Sequence, residues 1–336
     1  MRYIIIGAGA VGGAVGGRLA GAGVDVVLVA RGAHYEALRE GGLRLTTPDG
    51  TRTHRVPVVS GPEEVGLRAD DVLFLAVKIQ DSVAALDAWS GRPVEGGGTA
   101  GERLPLVCAQ NGVEGERLAL RRFDRVYGMC VWLPATFLEP GRVAAAGAPL
   151  TGILHLGRYP GGTDETARRI ARDLEKAPFA APVVPDVMRW KYAKLLANTA
   201  NAIEAVCGVW RGDAVAESLH RRATDEARRV YAAAGIDAVS PEEQREVRGD
   251  RVAFVSNEAR GLGSSWQSLS RGTGSVEVDY LNGEISLLGK LHGVPTPVND
   301  VLMRTTDAFA REGREAGSTT PAELALLVDG AERRQD

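Results

Sequence analysis

The stretch Tyr3-Ile4-Ile5-Ile6-Gly7-Ala8-Gly9-Ala10-Val11-Gly12 decides how this chain folds, because an apolar run breaks there into a glycine-rich turn. A small-residue segment follows, then Gly23-Val24, then a second apolar run from Val26 to Ala30. Short apolar runs bounded by glycine read as strands, so the unit is strand, turn, helix, strand. Unbroken apolar strands indicate a parallel sheet buried on both faces. A G-x-G-x-x-G pattern between a strand and a helix lets backbone N–H groups approach a pyrophosphate at the positive end of the helix. Gly7, Ala8, Gly9, Ala10, Val11 and Gly12 are therefore expected to hold a dinucleotide. The competing reading is that Gly9, Gly12 and Gly13 only let the helix pack closely on the sheet.

The end of the second strand bears on which dinucleotide. An NAD site places an acid there for the ribose hydroxyls, but this chain has Arg31, and Asp25 precedes the strand. A guanidinium suits a 2′-phosphate, which points to NADPH, although a solvated loop arginine would look the same. Lys78, directly after the apolar strand Val72 to Val77, is either a second cation for the cofactor or a solvated strand-end lysine.

Further along, Leu43 to Ser60 reads as a hairpin around Pro48-Asp49-Gly50, and Leu104 to Cys108 as a strand ending at Gln110-Asn111-Gly112. Ser90 to Glu102 reads as a surface loop, Val126 to Gly157 as a β-rich region turning at Glu139-Pro140-Gly141, and Asp164 to Lys176 as a surface helix. Pro178, Pro182 and Pro185 mark a domain boundary. Beyond them helical patterns dominate: Val187 to Val206, Ala214 to Ala234, Glu242 to Arg260, Asp279 to Leu291 and Asn299 to Glu315. The expected fold class is α/β, an N-terminal Rossmann-type doubly wound sheet followed by an all-α C-terminal domain. The expected division is 1–185, 186–316 and a tail at 317–336.

Composition narrows the functional classes. At 336 residues, 44% hydrophobic and 25% charged, the chain has the profile of a globular protein with room for two domains. A formal net charge of -3 gives no basic excess to draw it onto nucleic acid. Cys108, Cys130 and Cys207 are scattered and odd in number, which excludes a disulfide framework and fits a reducing cytoplasm. The apolar start is interrupted by glycines and Arg18, so it reads as a buried strand with no secretion signal and no membrane partner. The five histidines lack metal-ligand spacing, and no metal is expected.

In the helical half, Trp190-Lys191-Tyr192-Ala193-Lys194-Leu195-Leu196-Ala197-Asn198-Thr199-Ala200-Asn201 lays Lys194, Asn198 and Asn201 along one face of a continuous helix. A lysine and two amides on a face otherwise fit for burial call for polar partners, which a ligand would provide, though a solvated stripe has the same pattern. Gly263 to Ser268 and Glu277 to Glu284 add a hydroxyl-rich turn and an acidic helix start, which by themselves are also cap chemistry.

Taken together, Gly7 to Gly12, Arg31, Lys78, Gln110-Asn111-Gly112, the pair Lys194 and Asn198, Ser265, and Glu277 to Gly283 resemble the ketopantoate reductase family over nearly the whole chain. That resemblance implies reduction of 2-dehydropantoate to pantoate by hydride transfer from NADPH, with Lys194 as the general acid and Lys191 as the runner-up. It implies that Glu277 orients Lys194 or the nicotinamide ribose, making Lys194 and Glu277 the catalytic pair. Asn111, Lys194, Asn198, Asn201, Ser265 and Ser268 would meet the substrate; Lys78, Asn111 and Glu277 would also meet the cofactor. Two departures fall where the substrate would sit: Asn201 comes one residue early, and Met129 to Thr136 does not match the family's threonine-rich strand. The alternatives are a related D-2-hydroxyacid dehydrogenase of the mandelate type, acting on a different 2-keto acid, and a non-catalytic NADPH sensor. A homodimer through the helical half is expected.

Overall fold

The computed structural model describes residues 1–137, 139–254, 262–272 and 274–334. The chain divides into two units, each with its own core. The first is Met1–Lys191 together with the segment that begins at Ser240; the second is Tyr192–Val239 and the part of the chain after residue 261.

The first unit is built on an eight-stranded sheet. Its strands in chain order are β1 (Arg2–Ile6), β2 (Asp25–Val29), β3 (Val58–Val59), β4 (Asp71–Leu75), β5 (Leu106–Cys108), β6 (Val126–Trp132), β7 (Gly152–Arg158) and β8 (Phe179–Ala180). Across the sheet they run β8-β7-β6-β5-β4-β1-β2-β3. From β3 to β6 every pairing is parallel, and β7 alone lies antiparallel to its neighbour β6. Strand order therefore reverses at β1, with β2 on one side and β4 on the other, which is the switch point where open α/β sheets bind ligands. Alternate residues feed separate cores: Tyr3, Ile5, Phe74 and Val107 on one face, and Ile4, Ile6, Leu73, Leu75 and Leu106 on the other. Burial on both faces explains why these strands read as continuous apolar runs.

The hairpin expected around Pro48-Asp49-Gly50 forms from Leu43–Thr47 and Gly50–His54, and the strand Arg142–Ala145 pairs parallel to its first arm. The segment expected as one long helix from Glu242 to Arg260 is different. It holds a helix at Pro241–Arg248 and a strand at Val252–Phe254, which pairs antiparallel with Gly147–Pro149 of the first unit; the rest of the expected helix, 255–260, lies outside the described residues. Gly249, at φ +44, ends that helix, and the strand folds with the first unit and not with the helical half.

The second unit is helical, with long helices at Ala214–Ala234 and Pro297–Glu312 around a core that includes Ile203, Leu219, Val298, Leu302 and Phe309. Buried polar groups tie it internally. The Glu226 carboxylate accepts from the backbone N–H groups of Val298 and Asn299 and from the Asn299 amide, at 2.7 to 2.9 Å. That carboxylate caps the start of the Pro297–Glu312 helix, where a negative charge is favoured. No helix among the described residues is long and apolar enough to cross a membrane.

Candidate active site

The glycine-rich turn runs off the end of β1. Gly7 has φ +100, and a Cβ there would lie 2.8 Å from the Val77 backbone nitrogen, so only glycine fits between β1 and the end of β4. A Cβ on Gly12 would run into the Gly7 carbonyl oxygen, which fixes the close approach of the helix Ala10–Gly21 to the turn. Gly9, at the N-cap of that helix, is the contrast: a Cβ there would have nothing within 4 Å. Packing accounts for Gly7 and Gly12 but not for Gly9. Ala10 and Val11 are the first two helical residues, whose N–H groups have no partner within the helix.

Beside the turn lies a groove of about 320 Å³, lined among others by Gly7, Gly9, Arg31, Ser60, Pro62 and Phe137. Arg31 is exposed and precedes the helix Gly32–Gly41, while Asp25 sits at the far end of β2 and pairs with Arg68 at 3.6 Å. His34, on the same helix, ties the turn down. Its Nε2 donates to the Ala8 carbonyl at 2.8 Å, and its Nδ1 accepts from the Gly141 N–H at 2.9 Å. That pair of bonds fits only the neutral ring, and burial lowers its pKa from the ordinary histidine value. Histidine at this position carried no motif, so sequence reasoning missed it.

On the other side of the switch point Lys78 and Asn111 are both half-buried, at the ends of β4 and β5. The neighbouring Gln110 side chain donates to the Val77 carbonyl at 2.6 Å and to the Ser82 hydroxyl at 2.8 Å, joining the two strand ends.

The helix Val187–Asn198 begins on the first unit. Gly128 of β6 stands opposite Gly157 of β7, and together they leave a dent on the sheet face that Val187 fills. One turn on, Lys191 is 3% exposed, and its ammonium donates to the Glu116 carboxylate, itself fully buried. Burial pushes the Glu116 carboxyl up, and Lys191 is the charge that opposes that rise. Nearby, burial raises the Cys108 thiol well above its ordinary pKa, so it has no nucleophilic character at neutral pH.

Lys194 and Asn198 lie in the part of that helix belonging to the second unit, and both are half-buried. The continuous helix expected through Asn201 is interrupted. The buried Thr199 hydroxyl donates to the Leu196 carbonyl at 2.7 Å, the Thr199 carbonyl accepts from the Asn282 amide at 3.2 Å, and a new helix, Ala200–Cys207, starts there. Such back-bonding bends helices, so Asn201 does not share one straight face with Lys194 and Asn198; its amide reaches the Ser264 hydroxyl at 3.5 Å. Ser265 is 1% exposed, and its hydroxyl, like the buried Asn198 Oδ1, has no hydrogen-bond partner among the described residues. Ser268 donates back to the Ser264 carbonyl at 2.9 Å. Glu277 is buried at the start of the turn Glu277–Tyr280. No cluster of metal-ligating side chains occurs among the described residues.

Family comparisons match both parts of the chain. Residues 3–161 fit the model described as ketopantoate reductase PanE/ApbA, and residues 186–310 fit that of its C-terminal region. The chain belongs to the ketopantoate reductase family. It is 33% identical over 310 residues to a 2-dehydropantoate 2-reductase of Archaeoglobus fulgidus, covering 90% of this chain and 95% of the relative. It is 30% identical over 323 residues to that of Halobacterium salinarum, covering 93% and 100%. Among solved structures it resembles a PanE/ApbA family ketopantoate reductase from Ralstonia eutropha, at 26% identity and TM-score 0.73, covering 99% of this chain and all of that one. A D-mandelate dehydrogenase solved with NADH and anilino(oxo)acetate shares the fold at TM-score 0.78 and 21% identity, over 94% of this chain and all of that one.

Proposed function

We propose that this chain reduces 2-dehydropantoate to pantoate with NADPH. The observation that carries the reading is the family match across both units, to relatives named for that reaction over nearly their full length. The first unit fits a dinucleotide: the N–H groups after Gly9 meet the pyrophosphate, and the groove beside Arg31 takes the adenosine half. Arg31 favours a 2′-phosphate, and Lys78 and Asn111 take the other half along the strand ends.

The bound cofactor supplies the hydride that reduces the keto carbon. Lys194 donates a proton to the oxygen that becomes the alkoxide, and its charge stabilises that oxygen as negative charge develops. Lys191 is held by Glu116, which supports Lys194 as the proton donor. The orphaned Asn198 Oδ1 and Ser265 hydroxyl serve the substrate, with Asn201 and Ser268 beside them, because buried polar atoms without partners are costly unless a ligand satisfies them. Glu277 orients Lys194 or the cofactor ribose. The exposed Leu287, Leu291, Leu326 and Leu327 of the second unit support a homodimer through that unit.

The deciding experiment mixes purified protein with ketopantoate and either NADPH or NADH and follows loss of the reduced cofactor. Fast turnover selective for NADPH is expected. Absence of turnover by protein that binds NADPH would sink the reductase reading.

A further inference from the structure

The helix Ser264–Ser270 of the second unit carries Ser265 and Ser268, yet its own sequence gives it little to start on. Helices of only 7 residues do not hold in isolation. Its N-cap is Gly263, which has no side chain to bond the first turn. Three residues on, where a glutamate or glutamine could reach back to the N-cap N–H, stands Trp266. The missing acceptor comes from another helix of the same unit. The Gly263 N–H donates to Glu204 Oε2 at 2.7 Å, across 59 residues of sequence. Beside that bond the Asn201 amide reaches the Ser264 hydroxyl at 3.5 Å. Asn201 and Glu204 are three residues apart on the helix Ala200–Cys207 and so share one of its faces. Ala202, Ile203, Ala205 and Val206 fix that helix in the core of the unit, which also takes Leu269 from near the end of the Ser264–Ser270 helix.

Gly263 fits this contact. Its φ of -57 and ψ of 169 are open to any residue, but a Cβ there would run into the Glu204 carboxylate. The approach of that carboxylate, and not the backbone conformation, accounts for the missing side chain. A bond from a backbone N–H to a carboxylate is roughly twice as strong as one to a neutral acceptor. Two residues beyond it comes Ser265, 1% exposed, with the hydroxyl that has no hydrogen-bond partner among the described residues. Glu204 therefore fixes the backbone at one end of the turn of helix that aims this hydroxyl.

We propose that Glu204 is a positioning residue for the reaction: by holding the Gly263 N–H, its carboxylate sets the Ser265 hydroxyl where the 2-oxo acid meets it. The proposal rests on the reductase reading above, in which Ser265 serves the substrate. Glu204 acts through Ser265 and needs no contact with the substrate.

The test measures kcat and KM for ketopantoate, with saturating NADPH, in the full-length protein and in Glu204→Ala, Glu204→Gln, Gly263→Ala and Ser265→Ala variants, together with the double variant Glu204→Ala with Ser265→Ala. Glu204→Ala is expected to raise KM for ketopantoate about tenfold, with kcat little changed and NADPH affinity unaltered. Glu204→Gln keeps an accepting oxygen and is expected to recover most of that loss. Gly263→Ala disrupts the same bond from the other side, is expected to raise KM likewise, and serves if Glu204→Ala fails to fold. Adding Glu204→Ala to Ser265→Ala is expected to raise KM no further, because both act at one hydroxyl. A residue that only held the fold would lower the melting temperature and leave KM where it was. A parent-like KM in folded Glu204→Ala, or single effects on KM that multiply in the double variant, overturns the positioning role and leaves the reductase reading standing. Absence of ketopantoate turnover by the parent protein overturns that reading and the role built on it.

Discussion

Lys191 and Glu116, 75 residues apart in sequence, form an ion pair with side chains 2% and 0% exposed. A pair so buried gains little over a well-packed apolar pair, but removing one member leaves the other charge uncompensated, at a cost of about 3–5 kcal/mol. Glu116→Ala and Lys191→Met are each expected to lower stability by that order in denaturant unfolding. The double variant Glu116→Leu with Lys191→Met is expected to recover most of the loss. Equal destabilisation by the double and single variants would show that the pair is not the cause.

Substitutions at Gly9 and Gly12 are expected to separate binding from folding. A side chain at position 12 collides with the Gly7 carbonyl, whereas one at position 9 meets only open space at an ordinary φ of -71°. Gly12→Val is expected to fold poorly. Gly9→Val is expected to keep its melting temperature while NADPH affinity falls at least tenfold by fluorescence titration. Normal affinity in Gly9→Val would remove the turn from the cofactor site.

Arg31 sets cofactor choice if the 2′-phosphate reading holds. Losing a hydrogen bond to a charged group costs about 1.5–3 kcal/mol, so Arg31→Ala is expected to raise KM for NADPH roughly 10- to 100-fold with little change for NADH. A parallel loss with both cofactors would mean that Arg31 does not read the phosphate.

Lys194→Ala is expected to lower kcat about a hundredfold or more while NADPH binding persists, as loss of a general acid requires. Turnover close to that of the parent would pass the role to another group.

His34 predicts a pH effect. Its folded-state pKa lies below the ordinary value near 6.5, because burial disfavours the charged ring and outweighs the bond to the Ala8 carbonyl, which favours it. A lowered histidine pKa means that the unfolded chain binds the proton more readily, so this contribution is present above about pH 6.5 and is lost as pH falls toward the folded pKa. NADPH affinity is expected to weaken as pH falls through that lowered folded pKa, where the folded ring takes up its proton and loses the bond from Gly141, and His34→Ala to weaken it at pH 7.5 while flattening the acid dependence. An unchanged acid limb in the variant would clear His34 of that role.

What the sequence revealed was what local chemistry determines. The turn from Gly7 to Gly12 announces itself because strand, glycines and helix are contiguous, and the parallel sheet follows from apolar runs buried on both faces. What stayed hidden depends on distant partners. Val252–Phe254 is three residues long and has no period to detect; it is a strand because Gly147–Pro149 pairs with it. The break at Thr199 needs the Asn282 amide on its carbonyl, and the role of Glu116 needs Lys191 on a helix that starts 71 residues later. Asn198 was visible as a polar residue on a helical face and Ser265 within a hydroxyl-rich turn, but their unsatisfied atoms emerge only once burial is known.

Because the chain leaves the first unit at Lys191 and comes back to it at Ser240, no single cut yields that unit whole. A gene fragment ending near residue 191 would encode the glycine turn and the sheet yet leave Gly147–Pro149 an open edge. Swapping helical halves between relatives at that one junction would therefore also exchange the strand that pairs with Gly147–Pro149. Chimaeras meant to isolate the first unit must carry the segment from Ser240 to Phe254 along with it.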